Sequence, residues 1–262
     1  MSISLRNVTK SFGRTRAVTD LTLEVRAGEL FAFLGPNGAG KTTTIKMIAG
    51  LLRPDHGTVH VCGIPVTTDG LAARAQLAYV PDQPFLYDKL TGREFLTFVG
   101  QMYQVPPRTV SERIERLATR LDIGFLDLLT EGYSHGMRQK VALAAALLHE
   151  PKVLVIDEPM VGLDPRTVRT VKQVFVELAR SGCTIFVSTH TLAVAEAIAD
   201  RIGIIHRSNL VAVGTLPELR ALARTQASLE DVFLILTADE GGPEAETVPP
   251  NQTERCSAKP IP

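Results

Sequence analysis

Apolar and polar positions alternate through the opening stretch of the chain. Leu21, Leu23 and Val25 are each separated by a polar neighbour, the period of a strand with one face in a core and the other in water. Residues 2–34 therefore read as strands, the first of them in an antiparallel sheet. Glu29 to Leu34 departs from this alternation, because it ends in an unbroken apolar run of strand length. Thr43 to Leu52 then places Ile45, Ile48, Ala49 and Leu52 at helical spacing. Val59–Cys62 and Leu77–Val80 read as short strands. From Thr91 to Leu129 the period is helical, with Pro106-Pro107 separating two helices and Gly124 closing the second. A helix from about Met137 to His149 follows. Next come strand Val153–Ile156, helix Arg166–Arg180, strand Thr184–Val187, helix Leu192–Ala199, and strands Ile202–Ile205 and Leu210–Val213. Strands that alternate with helices imply a parallel sheet covered on both faces.

Composition narrows the function classes. The chain has 262 residues, 45% of them hydrophobic, enough for one large α/β domain with a buried core. Lys+Arg and Asp+Glu are both 28, so no basic surplus points to nucleic acid. Cys62, Cys183 and Cys256 are odd in number and widely spaced, which suits reduced thiols in a cytosolic protein. His56, His60, His149 and His206 have no metal-like spacing. Met1 to Lys10 lacks an apolar core of signal-peptide length, and no apolar run approaches the ~20 residues of a membrane helix. A membrane role would run through a partner. Residues 238–262 are rich in Pro, Gly and Glu and read as a disordered tail.

The chemistry begins at Gly35-Pro36-Asn37-Gly38-Ala39-Gly40-Lys41-Thr42-Thr43. Gly, four residues, then Gly-Lys-Thr is the phosphate-loop pattern, and it lies between a strand and a helix start. Free N–H groups and the helix dipole attract an anion there, Lys41 meets the terminal phosphates, and Thr42 offers a hydroxyl to Mg²⁺. Strand Val153–Ile156 ends in Asp157-Glu158. In a phosphate-loop fold this strand is expected directly beside the one that feeds the loop, with Asp157 holding Mg²⁺ and Glu158 polarising the attacking water. Ser134 stands as an N-cap before the helix that starts near Met137, and that helix start can hold a second anion.

Taken in order, the phosphate loop, Ser134-x-Gly136, Ile156-Asp157-Glu158-Pro159, Gly162-Leu163-Asp164 and Ser188-Thr189-His190 resemble the ATPase subunit of an ABC transporter over residues 2–237. The resemblance implies an α/β fold: a phosphate-loop NTPase core with a mostly parallel sheet, an antiparallel β subdomain and an inserted helical subdomain at about 85–140. It implies one ATPase domain over 1–237, with ATP and Mg²⁺ as ligands. Gly35 to Thr43 match the Walker A loop, Asp157 and Glu158 the Walker B aspartate and catalytic glutamate, and His190 the switch histidine. Ser134, His135, Gly136 and Met137 match the signature, which in the family meets the ATP held by the opposite subunit. Asp164 matches the D-loop. Phe12 stands where an aromatic ring stacks on adenine, with Val18 beside it.

The chain departs from the family pattern in two places. Asp82 occupies the usual position of a Gln that ligates Mg²⁺, with Gln83 one residue later, and Asp82 offers the metal an oxygen of different charge. His135 and Met137 replace the commonest Gly and Gln of the signature. Tyr133-Ser134-His135-Gly136-Met137-Arg138 and Ser228–Phe233 resemble the ABC-2-type exporters of drugs, lipids or polysaccharides. The implied partners are a second ATPase copy and an integral-membrane permease, contacted near Asp82–Leu90, with no nucleic acid. The implied location is peripheral, on the cytoplasmic face of the membrane. Two rival classes are a soluble ABC ATPase acting on ribosomes or DNA and a nucleotide-binding regulator without turnover. The first usually needs a fused second ATPase or a long coiled coil, and neither is seen. The second would be favoured by loss of Glu158 or His190, and both are present.

Overall fold

The computed structural model describes residues 1–238, so the expectation of a disordered tail falls, but for Ala238, outside the described residues. Ile3–Phe12 (β1) and Thr15–Val25 (β2) form an antiparallel hairpin. Leu30–Leu34 (β3) feeds the loop before Lys41–Ile48 (α1). His56–Val61 (β4) and Ile64–Pro65 (β5) complete a sheet of order β2-β1-β4-β5. Gly70–Ala75 (α2) leads to Leu77–Val80 (β6). Gly92–Met102 (α3), Pro107–Arg120 (α4) and His135–Leu147 (α5) make the helical segment, with a 3-10 turn at Thr130–Gly132. Then follow Val153–Asp157 (β7), Pro165–Arg180 (α6), Thr184–Thr189 (β8), Leu192–Ile198 (α7), Arg201–His206 (β9) and Asn209–Gly214 (β10). Leu216–Leu222 (α8) and Leu229–Thr237 (α9) close the described chain.

The second sheet has order β10-β9-β3-β8-β7-β6, parallel except for the antiparallel edge β10. Both faces are covered. On β3, Phe31 and Phe33 turn toward α1 and the antiparallel sheet, while Ala32 and Leu34 turn toward α7, α8 and α9. On β7, Val153 and Val155 join the first face, and Leu154 and Ile156 pack with the helical segment. Continuous apolar strands are the expected result of burial on both sides.

Several expectations need correction. β7 is not adjacent to β3, because β8 lies between them. α1 begins at Lys41 and stops at Ile48, since Gly50 turns left-handed at φ 69° and Leu51 N–H donates back to Lys46 O at 2.9 Å. Leu52 is therefore beyond the helix. Cys62 is not in a strand; it sits in the turn after β4 at φ 51°. α4 ends at Arg120, well before Gly124. Asp122 takes the left-handed position at φ 53°, with Ile123 N–H donating to Ala118 O at 2.8 Å and Asp122 N–H to Thr119 O at 3.3 Å, a Schellman closure made without glycine.

Inside the helical segment, α3 starts with a capping box between Thr91 and Glu94. α3 and α4 approach closely at Gly100, where a Cβ would fall 2.6 Å from Val110 Cγ2. Arginines bind this segment to its surroundings. Arg113 and Arg116 share Glu150, Arg120 meets Glu177 on α6 at 2.7 Å, and Arg93 meets Glu115 and Asp127. Phe85, Tyr87 and Phe98 form an exposed aromatic cluster, with Tyr87 edge-on to both neighbours at 5.9 and 5.7 Å. Among the described residues, no helix is long and apolar enough to cross a membrane.

Candidate functional site

The loop from Gly35 to Gly40 is built by close approach. A Cβ on Gly35 would lie 2.3 Å from Ile205 O, and one on Gly40 2.3 Å from Ala17 O. Only glycine lets the loop nest between β9 and β2. Gly40 is the N-cap of α1 and offers no side chain, so the first N–H groups of the helix stay open toward solvent and an anion. Lys41 is buried, and its Nζ donates to Gly35 O at 2.8 Å and Pro36 O at 3.2 Å.

A cavity of about 480 Å³ opens over this loop. Asn37, Gly38, Gly40, Lys41, Thr42, Thr43, Asp82, Asp157 and Glu158 all reach its wall. Lys46, Tyr79, Gln83 and Ala17 line it too, without a part that the sequence assigns them. Gly35, Pro36 and Ala39 do not line it; Gly35 and Ala39 are buried and Pro36 is exposed.

Three carboxylates, Asp82, Asp157 and Glu158, line this cavity. Asp157 is buried at the end of β7, opposite Ser188 on β8, and the Ser188 hydroxyl donates to Asp157 Oδ1 in a very short bond. Sequence reading gave Ser188 no role, because the β7–β8 register that creates this contact leaves no local signature. Glu158 leaves the strand with φ 48°, its N–H held by Ser188 O at 3.1 Å. Its Oε1 lies 2.8 Å from His190 Nδ1 and 3.6 Å from Lys41 Nζ. Asp82 faces this pair. Burial, then the charges of Asp157 and Glu158, push its pKa up, against weaker opposition from His135 and His190. The Tyr79 hydroxyl is pushed up to about 12 by burial and by Asp157 and Asp82.

This crowding of negative charge fits a small hard cation. Thr42, Asp82 and Asp157 supply only oxygen donors, which suits Mg²⁺, an ion that completes its shell with water and substrate phosphates. Among the described residues, no group of three His, Cys, Asp or Glu side chains is clustered tightly enough to hold a metal unaided.

Other candidates lie apart. Ser134 caps α5, accepting from Met137 N–H at 3.3 Å, and none of Ser134, His135, Gly136 and Met137 lines the cavity of its own chain. Asp164 caps α6, accepting from Arg166 N–H and Thr167 N–H at 3.0 Å, and its hydrogen bond from the Thr167 hydroxyl lowers its pKa. Phe12 is exposed at the end of β1, with Lys10 Nζ 5.7 Å from the ring centre, and is not part of the cavity wall. Val18 is fully buried, 3.3 Å from where Gly40 would carry a Cβ, and its neighbour Ala17 reaches the cavity.

Comparison with known proteins agrees with this architecture. The sequence profile of the ABC transporter family matches residues 18–161. A linearmycin resistance ATP-binding protein of Bacillus subtilis (strain 168) is 35% identical over 244 residues, covering 89% of this chain and 78% of the relative. The solved ATP-binding subunit of an ABC transporter superposes with a TM-score of 0.85 at 33% identity, covering 90% of this chain and 99% of the other. A cassette solved as a dimer in a post-hydrolysis state with ADP and Pi gives a TM-score of 0.73 at 26% identity, covering 82% and 98%.

Proposed function

We propose a mechanism from the premise that this chain belongs to the ABC transporter family: it is an ATP-binding and ATP-hydrolysing motor subunit, driving a separate membrane permease in the direction of export. The resistance function named for the Bacillus relative supports export, and a drug among the drug, lipid and polysaccharide classes that the resemblance allows. The observation that carries the catalytic part is the placement of Glu158. Its carboxylate stands in the phosphate-loop cavity between Lys41 and His190.

ATP would lie with its phosphates on the loop, Lys41 leaving its carbonyl partners for the β- and γ-phosphates. Phe12 would stack on adenine. Glu158 would polarise the attacking water, and His190 would hold Glu158 and the γ-phosphate in register. Thr42, Asp157 and Asp82 would hold Mg²⁺, which neutralises phosphate charge when bound. Ser134 to Met137 would meet the ATP of a second copy, with Asp164 at the junction between copies. The dimeric cassette with ADP and Pi supports this pairing. Closure of the pair would move residues 85–140, and the exposed cluster of Phe85, Tyr87 and Phe98 offers the permease an aromatic surface. The chain would thus sit peripherally at the cytoplasmic face of the membrane.

The trans arrangement can be tested by mixing. In a Glu158→Gln background that traps ATP, one copy carries Lys41→Ala and the other Ser134→Arg. The mixed dimer has one site with both defects and one intact site. It should trap one nucleotide per dimer, whereas each mutant alone should trap none. Equal trapping by a single mutant would refute the arrangement.

A further inference from the structure

We propose that His135 is a positioning residue that latches the loop after Glu158 to the helix start carrying Ser134. The functional part rests on the trans reading above; the latch itself rests on geometry alone. His135 is the first residue of α5, immediately after the Ser134 cap. Its ring crosses to the segment between β7 and α6, where Nε2 lies 3.1 Å from Val161 O. A carbonyl only accepts, so the proton belongs on Nε2 and the tautomer is fixed by this contact.

The ring also lies against bare backbone. A Cβ on Gly162, which has φ 71°, would fall 2.9 Å from His135 Cδ2. One residue further along each segment, Leu163 Cδ2 lies 3.5 Å from where Gly136 would carry a Cβ. The loop's own turns are long, with Val161 N–H to Glu158 O at 3.3 Å and Leu163 N–H to Met160 O at 3.4 Å. To these two turns His135 adds a contact from outside, on the Val161 carbonyl.

This joins two things that serve different nucleotides. Glu158 acts on the ATP of its own subunit, and Ser134 meets the ATP of the partner copy. A displacement at either end is passed along one chain through the His135–Val161 contact, so the latch couples the two sites of the dimer.

The test uses the full chain and, for turnover, its complex with the permease. One hydrogen bond of about 1 kcal/mol corresponds to about fivefold in an opening equilibrium. In the nucleotide-free chain, His135→Ala should speed hydrogen exchange of the Val161 and Leu163 amides about fivefold, while His135→Gln, which keeps a donor, should restore wild-type exchange. In the complex, the Hill coefficient for ATP hydrolysis should fall toward one in His135→Ala and recover in His135→Gln. Unchanged exchange in His135→Ala, or Gln behaving as Ala, would overturn the latch. Faster exchange with an unchanged Hill coefficient would overturn its coupling role. If His135→Ala does not fold, ¹⁵N-histidine spectra of the wild type decide: an Nε2-protonated His135 supports the latch and an Nδ1-protonated one overturns it. Exchange and spectra are read without nucleotide, so their failure is separable from failure of the mixing experiment.

Discussion

The helical segment and the nucleotide cavity treat charge in opposite ways. Around the helices, carboxylates and guanidiniums are matched: Glu150 lies between Arg113 and Arg116, and Glu177 faces Arg120. In the cavity, Asp82 feels the negative charges of both Asp157 and Glu158, and the Lys41 ammonium, 3.6 Å from Glu158, is shared with two backbone carbonyls. Matched surface pairs are cheap to form and stabilise little. Like charges gathered in a cleft cost stability and are kept where chemistry requires them. The difference locates the working part of the molecule without any reference to sequence motifs.

The largest effect should come from removing Lys41, the cavity lysine that stands 3.6 Å from Glu158. Lys41→Ala should weaken Mg·ATP binding by roughly 10- to 100-fold, the worth of charge-assisted hydrogen bonds, while thermal unfolding stays cooperative. Unchanged affinity by calorimetry would break the comparison at its centre. A smaller and different effect is expected in the helical segment. Gly100→Ala forces a methyl group to within 2.6 Å of Val110 and should cost about 1–3 kcal/mol of stability, read by denaturant titration. Nucleotide affinity should be spared, because Gly100 is not part of the cavity wall.

The smallest effects sharpen the contrast through pH. Asp82 has its pKa raised above the ordinary 3.8, so the folded state favours its protonated form. That stabilisation is present at low pH and is lost as pH rises through the raised value. Asp82→Asn should therefore raise the Tm of the nucleotide-free chain at pH 7, with the difference vanishing in acid. Glu177 has the opposite sign. Its hydrogen bonds from Arg120 and Gln173 hold its pKa below 4.5, so its contribution is present above that value and lost as pH falls through the lowered one. Glu177→Gln should lower Tm slightly at pH 7, and less so in high salt. Shifts of the same sign in both variants would remove the distinction between the two regions.

Features whose chemistry is local were readable from the sequence. The loop from Gly35 to Thr43 and the cap at Ser134 are each defined by a few adjacent residues, and each appears where its spacing places it. Features that depend on partners far along the chain were not readable. The insertion of β8 between β3 and β7, and with it the Ser188–Asp157 bond, follows from strand register that no single strand encodes. The end of α4 was misplaced for another reason: glycine is the usual left-handed closer, yet Asp122 takes the position because a short polar side chain tolerates it. α8 and α9 do carry a local signal, since Thr215-x-x-Glu218 and Ser228-x-x-Asp231 both form capping boxes.

The left-handed backbone at Glu158 limits which substitutions can be interpreted there. At φ 48°, β-branched residues are genuine outliers, so Glu158→Val or Glu158→Thr would distort the chain as well as delete a carboxylate. Asp tolerates the conformation, but its carboxylate falls one methylene short of His190 and Lys41. Gln and Ala differ from Glu without adding a branch at Cβ, so both keep the wild-type backbone cost. Losses measured with those two report on the carboxylate, whereas losses measured with branched residues mix chemistry with backbone strain.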